Sequence, residues 1–134
     1  CIGETQEQKD YGISPEVLRS QLKIGLHGIP SDQLHKLWIA YEPVWSIGIN
    51  GTPATPDYAE SMHKIIKETL RELFCEASEQ IPVLYGGSVN SDNAEELIIQ
   101  PSIDGLFTGR AAWDADKFND LIRKAINAYR SCQK

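Results

Sequence analysis

No apolar run in this chain approaches the ~20 residues that a membrane-spanning helix needs, so no membrane partner is expected. The first residues lack the charged-then-apolar pattern of a signal peptide. Basic charge is scarce. Lys and Arg number 13 against 19 Asp and Glu, and the resulting net charge of −6 argues against a general nucleic-acid surface. That balance still permits a local phosphate pocket, because backbone amides bind phosphate without net positive charge. Cysteine is sparse and odd in number. Cys1, Cys75 and Cys132 are scattered and read as reduced thiols of a cytoplasmic protein, not as a disulfide framework. His27, His35 and His63 lack the paired spacing of a metal site, so they read as surface or structural residues, and neither a metal nor a cofactor is expected. Internal repeats and low-complexity linkers are missing too. What remains is an ordinary composition, 41% hydrophobic and 24% charged over 134 residues, enough for one buried core.

The chain does not open on methionine, and Cys1-Ile2-Gly3-Glu4-Thr5 reads like a strand end running into a loop. The expectation is a piece of something longer. Ser14-Pro15-Glu16 then has the grammar of a helix start, with a capping hydroxyl, a proline and an acid. Leu18, Leu22 and Leu26 give one apolar face, and Gly28 and Pro30 end it. Ser31-Asp32 starts a further short turn. Residues 37–41 form a near-continuous apolar run without two-residue alternation, which predicts a strand buried on both faces. Thr55-Pro56-Asp57 repeats the helix-start grammar, and Met62, Ile66, Leu70, Leu73 and Phe74 share a face. Strands are predicted over 81–85 and 103–108, a short helix from Ser91-Asp92 through Ile99, and a last helix from about Asp116.

Helices alternating with strands imply a parallel α/β sheet with right-handed crossovers. Three strands make a poor free-standing parallel sheet, since both edges present unpaired backbone groups. This again points to part of a larger fold.

The first strand ends in a carboxylate, Glu42, at the tip where parallel sheets and barrels place their chemistry. Pro43 stops the sheet pairing, and Val44-Trp45-Ser46-Ile47-Gly48 follows with more apolar surface than a solvated loop carries. Such a loop is either packed down permanently or closes over something. The second strand ends in Gly86-Gly87-Ser88 and the third in Gly109-Arg110. Glycine at such a junction lets backbone N–H groups face a cavity without a Cβ in the way. Each residue has a bland alternative: Glu42 as a simple strand cap, each glycine pair as a tight turn. Together they favour a phosphate grip beside a general base.

Ala40-Tyr41-Glu42-Pro43-Val44-Trp45-Ser46-Ile47-Gly48, Tyr85-Gly86-Gly87-Ser88-Val89 and Asp104-Gly105-Leu106-Phe107-Thr108-Gly109 resemble triosephosphate isomerase, as does Cys1-Ile2-Gly3-Glu4-Thr5. The resemblance runs the whole chain in order. It implies the C-terminal half of a (β/α)₈ barrel, with residues 1–134 forming part of one barrel domain from the end of strand 5 to the last helix. It also implies a cytoplasmic homodimer acting in glycolysis and gluconeogenesis on a small phosphorylated sugar, interconverting dihydroxyacetone phosphate and glyceraldehyde 3-phosphate. Glu42 would be the base, and Gly48, Ser88, Gly109 and Arg110 would hold the phosphate through backbone N–H groups. Trp45 would latch the closing loop, with Glu4 and Tyr41 placed to bond its indole in the two loop states and Tyr85 and Ser88 meeting the closed loop.

The family also uses a lysine and a histidine electrophile from its first and fourth strands, and neither is among these residues. The far hinge, Ile49-Asn50-Gly51-Thr52-Pro53, is one residue longer than the usual pattern and lacks its lysine. Arg110 stands where a second glycine is usual, and Trp113 follows. These departures resemble the tetrulose-phosphate (L-erythrulose 1-phosphate) isomerases, a four-carbon branch with the same proton chemistry. A non-catalytic half-barrel is the alternative of a different class.

Overall fold

The computed structural model describes residues 1–48 and 50–132. Ile49, with which the expected hinge begins, lies outside the described residues. The helices are α1 (Gln6–Asp10), α2 (Ser14–Gly25), α3 (Pro56–Phe74), α4 (Ala94–Ile98) and α5 (Ala115–Cys132). The strands are β1 (Ile39–Tyr41), β2 (Val83–Tyr85) and β3 (Gly105–Leu106). They pair in parallel in the order β1-β2-β3, with Ile39 opposite Val83 and Leu84 opposite Gly105. Ile2 extends the sheet by one parallel bridge to Tyr41, donating its N–H to the Ala40 carbonyl at 2.9 Å and accepting that of Glu42 at 2.8 Å. The opening residues therefore do run alongside a strand before entering a loop.

All three strands are shorter than expected. Leu37 closes the 3₁₀ turn Ser31–Lys36 by donating to the Leu34 carbonyl, so the ladder starts only at Ile39. Trp38, expected in the buried run, is 64% exposed. Ile81 likewise closes the turn Cys75–Gln80, and Pro82 has no N–H to give. Ser14 does not cap α2. The cap position is Ile13, with no side-chain bond, and the Ser14 hydroxyl pairs with that of Tyr58 at 3.0 Å. The helix ends at Gly25, ahead of Gly28. Thr55 does cap α3, accepting the Tyr58 N–H. α4 begins at Ala94, because Asn93 turns its side chain back to the Asn90 N–H. The opening loop contains α1, built by a capping box in which Thr5 and Gln8 satisfy each other's backbone N–H.

The core lies between β1–β2 and the helices α2 and α3. Leu18, Leu22, Ile66, Leu70, Tyr41 and Tyr85 are essentially inaccessible, and each fully buried aliphatic side chain contributes about 1.5–3 kcal/mol. β1 is buried at every residue, as its continuous apolar run predicts. Among the polar residues here, Glu60 accepts the backbone N–H and hydroxyl of Ser102 at 2.9 and 2.8 Å. His63 is fully buried, its Nδ1 3.2 Å from the Ser102 carbonyl. Its ring stands edge-on to Tyr41 at 5.7 Å and tilted to Tyr85 at 6.1 Å. The imidazole thus packs behind both strand ends that carry the site.

Candidate functional site

The C-terminal strand tips open onto one groove of about 710 Å³ whose walls include Glu42, Gly48, Ser88, Gly109 and Arg110. Residues spread over 69 positions of sequence converge because β1, β2 and β3 are parallel and adjacent, so all three tips face the same way. Glu42 is fixed by its backbone. Its N–H bonds the Ile2 carbonyl, while the preceding Tyr41 carbonyl accepts the Gly86 N–H at 2.8 Å. Its side chain lies across Gly86, where an added Cβ would come within 2.6 Å of Cγ and 3.1 Å of the Phe107 ring. Glycine at 86 is therefore required for Glu42 to lie in the groove. No described residue donates a hydrogen bond to the Glu42 carboxylate, which leaves both oxygens available to a ligand.

Two turns face the carboxylate. Ser88 has φ +43, a left-handed conformation that costs a non-glycine residue about 1 kcal/mol. Asn93 holds it there by donating to the Ser88 carbonyl at 3.1 Å, and the Ser88 hydroxyl donates to the Ser46 carbonyl. In the second turn Gly109 precedes a single 3₁₀ turn, Arg110–Ala112. The Arg110 guanidinium reaches away from its own turn and donates to the Gly48 carbonyl. Trp113 and Lys117 complete this rim.

The loop after Glu42 is anchored at its near end. The Trp45 indole N–H donates to Glu4 at 2.8 Å. Glu4 is wholly buried and also accepts the hydroxyls of Tyr58 at 2.8 Å and Tyr41 at 3.1 Å. The Lys9 ammonium sits 3.6 Å from the centre of the Trp45 ring, a cation–π contact supplied by α1. Of the two expected partners of the indole, Glu4 holds it here, and Tyr41 bonds Glu4 instead. Burial drives the Tyr41 hydroxyl far above its ordinary range, and the Glu4 carboxylate adds to this. Burial likewise pushes Tyr58 up to about 12. Both phenols therefore stay protonated and, with the indole N–H, keep Glu4 satisfied.

Tyr85 lies beneath the loop, its acidity lowered chiefly by burial. Gly87 passes so close that a Cβ there would meet the Tyr85 hydroxyl at 2.4 Å and Ser46 Oγ at 2.7 Å. The apolar loop is split in its exposure: Trp45 is packed down, whereas Val44 and Ile47 stand 51% and 41% exposed. Tyr58, Lys9 and Ser46 have no sequence signal as site residues, since each meets its partner only through tertiary packing, and Lys117 reaches the groove rim in the same way.

Among the described residues no cluster of three or more His, Cys, Asp or Glu side chains could hold a metal ion, and no helix is long and apolar enough to cross a membrane. The family model described as "Triosephosphate isomerase" matches residues 1–125. The chain is 46% identical over 129 residues to a Rhizobium etli protein named "L-erythrulose-1-phosphate isomerase", covering 96% of this chain and 47% of that protein. A Rhizobium meliloti protein of the same name is 45% identical over 130 residues, covering 96% and 49%. A Roseiflexus protein named "Triosephosphate isomerase" is 44% identical over 123 residues, covering 91% and 48%. The chain spans about half the length of the curated relatives it matches.

Proposed function

The chain belongs to the triosephosphate isomerase family, and from that premise we propose that the complete protein interconverts phosphorylated sugars by moving a proton between adjacent carbons, with Glu42 as the base. The observation that carries this is the groove itself: an unbonded carboxylate at one strand tip, faced by two turns from the next two strands. Glu42 takes the proton from the carbon beside the carbonyl and returns it to the neighbouring carbon through an enediolate. The backbone N–H groups of Gly48, Ser88, Gly109 and Arg110 hold the phosphate. Gly48 rides on the loop, so closure couples phosphate binding to completion of the site. Loop closures of this kind, of which triosephosphate isomerase is itself a standing example, shut out water and strengthen the base. Trp45 serves as the latch, with Glu4, Tyr41 and Tyr85 as its supports. Residues 1–134 represent the region from the end of strand 5 to the last helix of one barrel domain. The lysine and histidine electrophile implied by the resemblance have no counterpart here, so the proposal concerns the complete protein, read as a cytoplasmic homodimer.

Two substrates fit this chemistry. The triose reading, dihydroxyacetone phosphate with glyceraldehyde 3-phosphate, follows from the family. The four-carbon reading rests on the relatives named for L-erythrulose 1-phosphate, together with Arg110 and Trp113 on the groove wall. Assaying the complete protein on both substrates separates them, and Glu42→Asp tests the base. Shortening that side chain withdraws the carboxylate from the carbon-bound proton, so kcat should fall at least about 10²-fold while affinity for a phosphomonoester changes little. Equal losses in binding and turnover would make Glu42 structural.

A further inference from the structure

Beyond phosphate binding, the two turns that face Glu42 share a second trait: each sends one side-chain donor to a carbonyl of the loop. From the turn after β2, the Ser88 hydroxyl donates to Ser46. From the turn after β3, the Arg110 guanidinium donates to Gly48 across 62 residues of sequence. The acceptors alternate along the loop, and the Gly48 carbonyl also takes the Gly51 N–H at 3.4 Å. Arg110 makes none of the ion pairs found among the described residues, so its charge is not committed to a carboxylate. Gly48 has φ +88, a conformation open to glycine and strained for other residues.

We propose that Arg110 is a positioning residue that tethers the tip of the Glu42 loop to the phosphate turn, through the bond from its guanidinium to the Gly48 carbonyl. The tether joins the peptide on either side of the expected phosphate: Gly48, whose N–H rides on the loop, and the Gly109-Arg110 turn. Glycine at position 110 supplies the backbone N–H but no tether. Arginine supplies both, and the loop is then biased toward the groove before ligand arrives, which lowers the ordering that substrate must provide. Ser88 gives the same kind of hold from the other wall, but through a neutral hydroxyl. A charged donor makes the stronger bond.

This inference rests on the proposed isomerase reading for its kinetic consequence, but not for the tether itself, and the two are tested separately. The complete protein is labelled with 5-fluorotryptophan, and the Trp45 resonance is assigned by Trp→Phe substitution. Loop exchange is then measured by ¹⁹F relaxation dispersion without ligand. Arg110→Met keeps an unbranched apolar stem and loses the donor; Arg110→Lys retains a cation. With the tether lost, the loop-open population in ligand-free Arg110→Met should rise about fivefold, and Arg110→Lys should recover part of that change. On the substrate the enzyme turns over, KM should rise by a similar factor with kcat within about twofold. An unchanged Trp45 signal in Arg110→Met overturns the tether. So does an unchanged ligand-free signal combined with weaker binding of inorganic phosphate, because the guanidinium then binds the anion directly. A changed Trp45 signal in a protein inactive on both sugar phosphates keeps the tether and removes the isomerase reading.

Discussion

Acidifying the protein should destabilise its core through one residue, His63. Its side chain is fully buried between Tyr41 and Tyr85, and Nε2 has no hydrogen-bond partner among the described residues. Burial lowers its pKa from 6.5 to about 4; the Ser102 carbonyl, Asp104 and Glu60 partly offset this, and Lys67 adds to it. The folded state therefore holds a neutral imidazole, whereas the unfolded chain protonates near 6.5. Stability from this group is fully present above the unfolded pKa. It falls as pH drops from about 6.5 to about 4 and is flat below, where both states are protonated. Between pH 7 and pH 4.5 the loss is roughly 2.5 kcal/mol, from the ratio of proton binding in the two states. Urea unfolding of the complete protein across this range measures it, with His63→Gln as the non-titrating reference. The wild type should lose roughly 2.5 kcal/mol more than the variant. NMR titration of the His63 ring should find it neutral well below pH 6. Parallel stability curves for the two proteins, or a His63 ring that titrates near 6.5, would refute the reasoning.

Three other outcomes follow from the geometry. Gly86→Ala places a Cβ 2.6 Å from Glu42 Cγ and should cut kcat about 10²-fold, with the unfolding midpoint near wild type, because the clash displaces the base; unaltered turnover would mean the carboxylate need not lie over Gly86. Glu4→Ala removes the shared acceptor of Tyr41, Trp45 and Tyr58 and should cost about 3 kcal/mol by chemical denaturation. Glu4→Gln, which keeps an acceptor oxygen, should cost less, and equal costs for the two variants would show that charge alone matters. The 134-residue polypeptide by itself should lack isomerase activity and should self-associate through its sheet edges and exposed Trp38, so turnover from a monodisperse monomer in sedimentation experiments would contradict this.

What the sequence makes legible follows from locality. The apolar spacing of Leu18 and Leu22, and of Ile66 and Leu70, marks the buried faces of α2 and α3. Thr55-Pro56 marks the start of α3 because capping is a contact of three residues' reach. Glu42, Gly48, Ser88, Gly109 and Arg110 are recognisable from their strand-end positions and family motif, and all five line one groove. The helix α1 escapes a search for periodicity because it buries no residue, although Thr5 and Gln8 spell a capping box. Ser14 misleads because its hydroxyl has a better partner 44 residues away in Tyr58. Strand ends are overextended because a parallel ladder is only as long as its shorter partner, and Pro82 and the Leu37 turn shorten it. The destination of the Arg110 guanidinium has no trace in the sequence, since it depends on where the loop tip lies.

The strands hydrogen-bond in the order in which they occur along the chain. Each can add to the edge left by its predecessor, so folding can proceed outward from β1 one crossover at a time, the long closure from Ile39 to Val83 before the shorter one from Leu84 to Gly105. The groove matures on a different schedule from the core. Once β2 has docked, Glu42 and the Glu4–Trp45 anchor are in hand, and Ser88 needs only Asn93, a few residues on, to hold its turn. Gly109 and Arg110 arrive only when Phe107 donates its N–H to the Tyr85 carbonyl at 2.8 Å. Quenching or enhancement of Trp45 emission should therefore time an early docking event during refolding. Recovery of phosphate binding should time the last one, and the lag between these signals measures how long the chain exists as a packed core with half a site.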